Sequence, residues 1–336
     1  MRTVILGIES SCDETAAAVC IDGNITSNVI ATQRVHEQYG GVVPELASRA
    51  HQQKIVPVVQ QAFSEAGISV KDLSGVGFTQ GPGLLGSLLV GTSFAKGLAF
   101  SLNVPLLPVH HMKAHILAHF IDQPFPEFPF LCLTVSGGHT QIVRVEDYLR
   151  MEVLGETSDD AVGEAFDKAA KMLGLSYPGG PEIDQLAKSG DSQKFSFSKT
   201  VMPGLEYSFS GIKTSILYFL RDQMKVNPDF ISQNIHDLAA SIQFALIQML
   251  LDKLVLASSE TGIKEIAIAG GVSANTHLRN ELEKIGIRHH WKIHIPEFEY
   301  CTDNAAMIAI SAYFQMKNSS NNEIDLEVQA MPRMKF

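Results

Sequence analysis

The sequence predicts an α/β protein built from two related lobes. Candidate strands and helices alternate along nearly the whole chain, a pattern typical of this fold class. Two segments, VILGIESSCDETAAAVC (4–20) and FLCLTVSGGHTQIVRV (130–145), share one plan: an apolar strand, a small polar turn and a second apolar strand. The chain has 336 residues, more than one hydrophobic core usually serves. We therefore expect two lobes, each containing one of these β-hairpins, facing each other across a cleft.

In the first half, helical spacing predicts a helix over 45–66. A strand at 75–80 (GVGFTQ) and a glycine turn at 81–87 precede an apolar helix over 87–101. A short strand, PLLPVH, then leads into a histidine-rich helix that ends near residue 119.

In the second half, a helix over 159–174 ends at a glycine suited to a C-cap. Three further units follow, and each combines a turn with a helix: YPGGPEIDQLAKSG (177–190), FSGIKTSILYFLRDQ (209–223) and EIAIAGGVSANTHLRNEL (265–282). A long apolar helix covers 234–261, and YCTDNAAMIAISAYFQ (300–315) predicts a strand end, an Asp-Asn cap and a helix. The predicted domain bounds are 1–130 with 304–325 for the first lobe, 131–303 for the second, and 326–336 for a tail.

Composition and charge indicate a globular protein that needs help to hold nucleic acid. The formal net charge is −10, from 36 acidic and 26 basic residues, and the densest basic patch, IRHHWKIH (287–294), is short. A protein that binds nucleic acid without partners normally has a stripe of basic residues. If the substrate is a nucleic acid, we expect partner subunits to supply many of the contacts to it. The cysteines form no C-x-x-C pair, and no apolar run approaches 18 residues. We therefore expect a cytoplasmic protein with reduced thiols and no membrane association.

Four histidines stand in the ten residues HHMKAHILAH (110–119). On a helix, His111, His115 and His119 share one face, and that spacing lets two imidazoles converge on one cation. A polar helix stripe with hydrogen-bonded histidines would show the same spacing. A zinc peptidase would need H-E-x-x-H with glutamate as the general base, whereas Met112 follows His111 here. The peptidase interpretation is therefore poorly supported.

Three glycine turns follow predicted strands or open helices: VSGGHT (135–140), YPGGPEID (177–184) and AGGVSAN (269–275). Glycine lets successive backbone N–H groups approach an anion closely, and a following helix adds its positive end. The sequence contains neither G-x-x-x-x-G-K-[ST] nor a G-x-G-x-x-G after a strand, which argues against a P-loop or dinucleotide fold. Acidic residues stand near the turns or in the first hairpin: Asp13, Glu14, Asp167 and Asp184. Together these features predict a nucleotide cleft.

The hairpin GIESSCDETAAAV resembles the first phosphate loop of the actin, hexokinase and Hsp70-type ATPase superfamily. VSGGHT resembles the second phosphate loop, and IAGGVSANTHLR resembles the adenosine-side loop. This resemblance implies two ribonuclease-H-like lobes with an inter-lobe cleft that holds nucleotide.

Nine motifs together resemble the tRNA threonylcarbamoyladenosine transferase family, formerly called the O-sialoglycoprotein endopeptidase family. They cover about residues 4–315, and the combination is highly specific. The motifs are GIESSCDET, QGPGLLGSLLVG, HHMKAH, VSGGHTQ, GEAFDKAAKMLGL, YPGGPEID, FSGIKT, AGGVSANTHLR and CTDNAAMIA. The resemblance implies transfer of the threonylcarbamoyl group from threonylcarbamoyl-AMP to the N6 amine of the adenosine 3′ of the anticodon. The substrates would be tRNAs that read codons beginning with A, and AMP would leave.

The resemblance also implies one divalent metal, Fe²⁺ or Zn²⁺, on His111, His115 and Asp303. Two imidazoles and one carboxylate leave coordination positions open for substrate. His119 has no ligand role in this interpretation. TDNAA is also a good helix start, so Asp303 alone would be read as a cap.

Further site residues follow from the resemblance. Asp13 and Glu14, the predicted catalytic residues, would polarise a water, hold a cation or accept a proton; either could instead be a turn cap. The 135–139 turn would contact the acyl phosphate, and other loops would hold the ribose and the adenine. The predicted substrate-binding residues are Thr134, Val135, Ser136, Gly137, Gly138, His139, Asp167, Gly180, Asp184 and Asn275.

The implied partners are tRNA, a paralogous subunit of the same fold that forms a heterodimer, and a small P-loop ATPase, with ATP and Mg²⁺ as a further ligand of the cleft. The helices 87–101 and 105–119 are candidate dimer faces, although core helices would look the same. Two other functions remain open: an ATPase module that regulates a partner complex without acyl transfer, and a small-molecule kinase. The H-x-x-x-H…D set discriminates, because neither alternative needs imidazole ligands.

Overall fold

The computed structural model describes residues 2–318 and 324–336, and it confirms the α/β class. The strands are β1 (Val4–Glu9), β2 (Glu14–Ile21), β3 (Asn24–Thr32), β4 (Gly75–Gly81), β5 (Leu106–His110), β6 (Phe130–Val135), β7 (Thr140–Val145), β8 (Met151–Glu156), β9 (Glu265–Ala269) and β10 (Lys292–His294). The α-helices are α1 (Pro44–Ala66), α2 (Leu85–Leu102), α3 (His111–Leu117), α4 (Val162–Met172), α5 (Gly179–Ala187), α6 (Ser210–Val226), α7 (Phe230–Thr261), α8 (Thr276–His289), α9 (Phe298–Cys301) and α10 (Ala305–Asn318).

The chain divides into two compact units. Unit 1 consists of Met1–Phe125, Glu146–Met151 and Pro296–Phe336, and unit 2 of Pro126–Val145 and Glu152–Ile295. These bounds differ from the predicted lobes chiefly because 296–303 and the predicted tail join unit 1. Residue 1 and residues 319–323, which the sequence analysis assigns to the first lobe, lie outside the described residues.

Unit 1 is built on a sheet of order β3-β2-β1-β4-β5. β1 pairs antiparallel with β2, as the first hairpin predicts, and parallel with β4. Both faces of β1 are covered: Leu6 and Ile8 belong to the core formed with α1 and α2, whereas Ile5 belongs to the core formed with α10. Burial on both faces explains why the strand reads as a continuous apolar run.

Unit 2 repeats this plan with a sheet of order β10-β9-β6-β7-β8. Its hairpin strands β6 and β7 are antiparallel, and β9 lies parallel to β6. In each sheet the hairpin's first strand is therefore central, with its antiparallel hairpin partner on one side and a later parallel strand on the other. The prediction of two related halves is confirmed at the level of sheet order.

Two helices, α2 and α7, are long and apolar enough to cross a membrane by length and composition alone. Most of α7 is buried in the core of unit 2, and this packing accounts for its apolar character. α2 instead leaves three large apolar side chains exposed, Leu85, Leu89 and Phe100. In the histidine helix α3, by contrast, the large apolar side chains Met112, Ile116 and Leu117 are buried. Of the two predicted dimer faces, the segment 105–119 is thus mainly core.

The segment that precedes α10 differs from the prediction, and the cap of α10 leaves the Asp303 side chain available. The segment expected to end a strand near Tyr300 is the short helix α9. The next helix, α10, is capped by Asn304, whose Oδ1 accepts a hydrogen bond from the Met307 backbone N–H at 2.9 Å. Because Asn304 supplies this cap, the Asp303 side chain is available for other contacts.

The predicted tail packs against unit 1. The Met331 N–H donates to the Gln80 carbonyl oxygen at 2.7 Å, and the Gly83 N–H donates to the Pro332 carbonyl oxygen at 3.2 Å. His110 Nε2 lies 3.2 Å from the Lys335 carbonyl oxygen. The segment is thereby joined to the turn after β4 and to the residue that precedes α3.

Candidate metal centre and nucleotide loops

The histidine helix α3 begins directly at the end of β5. His110 is its N-cap, and the Nδ1 atom of His110 accepts a hydrogen bond from the Met112 backbone N–H at 3.2 Å. The Nε2–H of His110 therefore donates to the Lys335 carbonyl oxygen. This cap starts the helix at His111, so that His111 and His115 stand one turn apart on the same face.

The structure brings His111, His115 and Asp303 together within unit 1. Asp303 Oδ1 lies 3.3 Å from His111 Nε2 and 3.2 Å from His115 Nε2. All three candidate ligand atoms lie within 4.8 Å of one another. Metal–ligand bonds of about 2.0–2.2 Å place neighbouring ligand atoms roughly 3 Å apart, so this group fits a divalent cation. His119 is buried on the short 3₁₀ helix Ala118–Phe120, outside the group.

The electrostatics of this group favour a positive charge. Burial lowers the pKa of His111, but the carboxylates of Asp303 and Glu9 outweigh burial and raise that pKa well above its usual value. Burial likewise raises the pKa of Asp303, whereas the adjacent His111 and His115 rings depress it overall. Both shifts show that the carboxylates stabilise a cation at this position, whether a proton or a metal ion.

Glu9 is the residue at this site that the sequence analysis did not identify. It ends β1, is fully buried and accepts the Thr79 hydroxyl at 2.7 Å. Its Oε2 also lies 3.1 Å from His111 Nδ1. The available signal was a carboxyl group at the end of an otherwise apolar, buried strand, because a buried charge requires partners.

The two predicted catalytic acids, Asp13 and Glu14, lie at the turn of the first hairpin in the same unit. Burial and the neighbouring carboxylates of Asp303 and Asp13 raise the pKa of Glu14 to about 9. The raised pKa favours the protonated form of Glu14, whereas a cation bound at Asp303 would favour its ionised form. The catalytic roles of both acids stay predictions.

His51 of α1 fixes the backbone of this acidic turn. Its Nε2–H donates to the Cys12 carbonyl oxygen at 3.0 Å, so its Nδ1 accepts the Thr15 hydroxyl at 2.7 Å. Only the neutral ring offers this combination of one donor and one acceptor. Burial lowers the pKa of His51 below the value of 6.5, which keeps the ring neutral.

We expect His51→Gln to lower the free energy of unfolding by about 1–3 kcal/mol at pH 7.5, because buried partners lose hydrogen bonds. The folded-state pKa of His51 is lower than the unfolded value, so its contribution is present above pH 6.5 and is lost as the pH falls through the folded-state pKa. The difference in the free energy of unfolding between wild type and variant should therefore be smaller at pH 5.5 than at pH 7.5, as measured by urea unfolding. A gap that widens with acidification would contradict this assignment.

In unit 2, the predicted phosphate turn 135–139 lies against the start of α4. The Gly163 N–H donates to the Ser136 carbonyl oxygen at 3.2 Å, and a Cβ at Gly163 would stand 2.6 Å from that oxygen. Ser136 Oγ accepts the His139 N–H at 3.1 Å. A Cβ at Gly137 or Gly138 would meet no atom within 4 Å. The two glycines therefore border open space, as an anion-binding turn requires.

The loop at Asp167 and Gly180 has a related construction. Asp167 Oδ1 accepts the Gly179 N–H at the start of α5 at 2.8 Å, and burial raises the pKa of Asp167. A Cβ at Gly180 would also meet no atom within 4 Å. This helix start thus leaves room beside Gly180 for a ligand.

Four other predicted substrate residues have partners within the protein: Asp184, Asn275, Thr134 and Val135. Thr276 Oγ1 donates to Asp184 Oδ1 at 2.8 Å. Asn275 Oδ1 caps α8 by accepting the Leu278 N–H at 3.0 Å, while its amide group donates to Gln243 Oε1 at 2.7 Å. Thr134 and Val135 are fully buried in β6, and the Thr134 hydroxyl donates to the Gln141 carbonyl oxygen. These contacts organise the loops, and direct substrate contacts at these positions stay predictions.

The fold resembles several solved structures whose sequences are 13–16% identical to this chain. Full-length HypF in the phosphate- and nucleotide-bound form aligns with a TM-score of 0.62 at 13% identity, covering 96% of this chain and 47% of that chain. Component A of (R)-2-hydroxyglutaryl-CoA dehydratase from Acidaminococcus fermentans gives 0.54 at 14% identity, covering 95% and 100%. The ROK hexokinase from Thermus thermophilus gives 0.50 at 16% identity, covering 95% and 100%. At these identities the likeness shows the fold alone, and it agrees with the predicted α/β fold class.

Sequence comparison is more specific. The profile of the family described as tRNA N6-adenosine threonylcarbamoyltransferase matches residues 24–310. Relatives with this name are 58% identical in Christiangramia forsetii, covering 99% of this chain and 98% of the relative, and 58% identical in Cytophaga hutchinsonii, covering 100% and 97%. The relative in Caldicellulosiruptor bescii is 48% identical, covering 94% and 93%. The chain therefore belongs to the tRNA N6-adenosine threonylcarbamoyltransferase family.

Proposed function

We propose that this chain transfers a threonylcarbamoyl group from threonylcarbamoyl-AMP to the N6 amine of the adenosine 3′ of the anticodon, in tRNAs that read codons beginning with A. Two relatives that are named for this activity are 58% identical to this chain, and the alignments cover 98% and 97% of their length. The structural observation that supports it is the convergence of His111, His115 and Asp303. A regulatory ATPase module has no need for this group, and the comparisons do not support that alternative.

The metal would be a single Fe²⁺ or Zn²⁺ held by the two Nε2 atoms and the Asp303 carboxylate. When bound, it would supply a Lewis acid or an orienting clamp for the threonylcarbamoyl group. The donor set leaves coordination positions open, as a catalytic site requires. The short distances from both rings to one carboxylate oxygen support this assignment.

The loops of unit 2 would hold the adenylate. The N–H groups of the 135–139 turn would contact the acyl phosphate, and the open space at Gly137 and Gly138 supports this role. Asp167, Gly180 and Asp184 would lie along the ribose, and Asn275 on the adenine side. ATP with Mg²⁺ is a second proposed ligand of these loops.

In the reaction, the N6 nitrogen forms a bond to the carbamoyl carbon, and the bond from that carbon to the phosphate oxygen breaks. AMP leaves with the electron pair of that bond, and the amine loses one proton. Because the anhydride is already activated, the protein's task is mainly positioning and charge stabilisation. Asp13 or Glu14 would accept the proton or hold a cation, and their place in one turn near Asp303 supports either role.

The proposed partners are tRNA, a paralogous subunit of the same fold and a small P-loop ATPase, in the cytoplasm. The net charge of −10 supports partner-assisted tRNA binding. The exposed apolar side chains of α2, with Phe100 67% exposed and Leu85 53% exposed, support that helix as the heterodimer face.

A reconstitution experiment tests the proposed function. The purified chain is incubated with threonylcarbamoyl-AMP, an unmodified tRNA that reads A-starting codons, and the two partner proteins. Digestion of the tRNA and mass spectrometry should detect N6-threonylcarbamoyladenosine, and its formation should depend on this chain. Nucleotide hydrolysis without any modified adenosine would instead favour the ATPase module.

A further inference from the structure

We propose that Glu9 is a positioning residue of the metal centre, which holds His111 with its Nε2 atom directed at the metal position. This inference rests on the proposed metal centre and adds a residue that is outside its ligand set. The Glu9 side chain is 0% exposed and accepts three hydrogen bonds within unit 1. The donors are the Ser11 backbone N–H, the Thr79 hydroxyl and His111 Nδ1.

The contact between Glu9 and His111 determines which ring nitrogen binds metal. Glu9 Oε2 lies 3.1 Å from His111 Nδ1. A carboxylate accepts hydrogen bonds, so Nδ1 carries the proton, and the neutral ring then presents a lone pair on Nε2. That Nε2 atom is the one that faces Asp303 Oδ1 at 3.3 Å. A carboxylate behind a metal-bound histidine also makes the ring a more basic ligand.

The other imidazole lacks this support. The buried Nδ1 atom of His115 has no hydrogen-bond partner among the residues that the structure describes. Apart from the contact of its Nε2 atom with Asp303 Oδ1 at 3.2 Å, the orientation of His115 therefore depends on packing, including the edge-on contact with the His111 ring at 4.8 Å between centroids. Loss of the Glu9 contact would leave His111 Nδ1 with the longer contact to Ser11 Oγ at 3.4 Å, and Ser11 is itself held by Glu9 through its backbone N–H.

Glu9 also joins His111 to the first hairpin. Its Oε1 atom accepts the Ser11 N–H at 2.5 Å, and its Oε2 atom accepts the Thr79 hydroxyl at 2.7 Å. Ser11 stands at the start of the turn that carries Asp13 and Glu14. One buried carboxylate thus fixes both the ligand and the beginning of the acidic turn.

Glutamine cannot reproduce these contacts, although it has the same shape. If the amide oxygen faces Thr79 and His111, the NH₂ group faces the Ser11 N–H. Both groups are donors, so the hydrogen bond to Ser11 is lost. If the amide is reversed, the NH₂ group donates to His111 Nδ1 and moves the ring proton to Nε2, the ligand atom. Either orientation impairs the metal site, and this makes Glu9→Gln an informative substitution.

The matched control is Thr79→Val. It has nearly the same volume and removes the hydroxyl that donates to the same Glu9 oxygen at 2.7 Å, without touching His111. A purely structural role for Glu9 predicts that both variants alter metal binding in proportion to their loss of stability. A positioning role predicts a specific effect of Glu9→Gln on metal binding.

The test uses the full-length chain and measures the Kd for Zn²⁺ by competition with a chromogenic chelator, together with the visible spectrum of the Co²⁺-loaded protein. We expect Glu9→Gln to raise the Kd by about 10- to 100-fold and to change the Co²⁺ spectrum. Thr79→Val should stay within about threefold of wild type, well below that range. If Glu9→Gln does not fold, Glu9→Asp, which withdraws the carboxylate from His111, should raise the Kd in the same direction.

Wild-type Zn²⁺ affinity and an unchanged Co²⁺ spectrum in a folded Glu9 variant would overturn the inference, as would an equal loss in Thr79→Val. His111→Ala separates this outcome from a failure of the metal centre itself. If wild type binds Zn²⁺, His111→Ala does not, and Glu9→Gln does, only the positioning role is lost. If wild type binds no Zn²⁺, the metal centre and the inference fail together.

Discussion

Asp303→Asn is expected to remove metal binding and, with it, tRNA modification. The substitution keeps the size of the side chain but removes the charge on the atom that both Nε2 atoms approach within 3.3 Å. Two imidazoles alone then remain, and an amide oxygen is a weaker ligand for Fe²⁺ or Zn²⁺. Loss of a direct ligand should exceed the cost of losing a supporting residue, so we expect the Kd for Zn²⁺ to rise by more than about 100-fold. Formation of N6-threonylcarbamoyladenosine in the reconstituted assay should fall at least as steeply.

Asp222→Asn is a suitable control for this experiment. Asp222 is an exposed residue of α6 in unit 2 that pairs with Lys225 at 2.8 Å. Loss of an exposed ion pair changes stability by about 1 kcal/mol or less, and neither metal content nor activity should change. An Asp303→Asn protein that retained bound metal and full transfer activity would exclude Asp303 as a ligand.

Local sequence patterns indicated the two histidines of this site, whereas Asp303 was predicted only through the family resemblance, for a physical reason. His111 and His115 are one helical turn apart, so local periodicity alone places them on one face. Asp303 lies 188 positions beyond His115, and only the packing of α10 against the sheet of unit 1 brings it there. Its local context, TDNAA, predicts a helix cap. The adjacent Asn304 takes that role instead, and no rule of local sequence distinguishes the two neighbours.

Glu9 shows a second limit of sequence reasoning. In the sequence it reads as the polar residue that ends an apolar strand, and strand ends commonly carry polar residues. Its function depends on Thr79 at the end of β4 and on His111 at the start of α3, which are neighbours only through the parallel pairing of the sheet. The buried strands themselves were predictable, because burial on both faces selects continuous apolar runs.

The predicted tail, 326–336, groups with unit 1 through contacts that the pattern of its side chains does not indicate. Its link to the rest of unit 1 includes backbone bonds, such as the one from Met331 to Gln80. Backbone hydrogen bonds do not depend on side-chain type, so hydrophobic periodicity cannot predict that this segment packs against unit 1. A Cβ at Gly81 would stand 1.9 Å from the Met331 carbonyl oxygen, so the glycine in QGPG is needed for this close approach.

Gly7→Ala should destabilise unit 1 strongly and weaken the metal centre from a distance. A Cβ at Gly7 in β1 would lie 2.5 Å from the Ala309 backbone nitrogen and 2.6 Å from the Ala305 carbonyl oxygen, both in α10. Backbone atoms of a helix cannot rotate away, so α10 must move off the sheet. We expect a loss of about 3 kcal/mol in the free energy of unfolding, the upper part of the range for overpacked cores. The thermal unfolding temperature should fall by more than about 5 °C.

Because α10 begins two residues after Asp303, the same shift should displace the carboxylate and raise the Kd for Zn²⁺. Gly97→Ala is the matched control, since the same methyl group in the exposed part of α2 would meet no atom within 4 Å. Removing glycine from a helix interior should stabilise the protein by about 0.5–1 kcal/mol and leave the Kd for Zn²⁺ unchanged. If Gly7→Ala unfolds at the wild-type temperature, the close packing of β1 against α10 is wrong. If it is destabilised yet binds Zn²⁺ normally, the position of Asp303 is set by contacts other than those of α10.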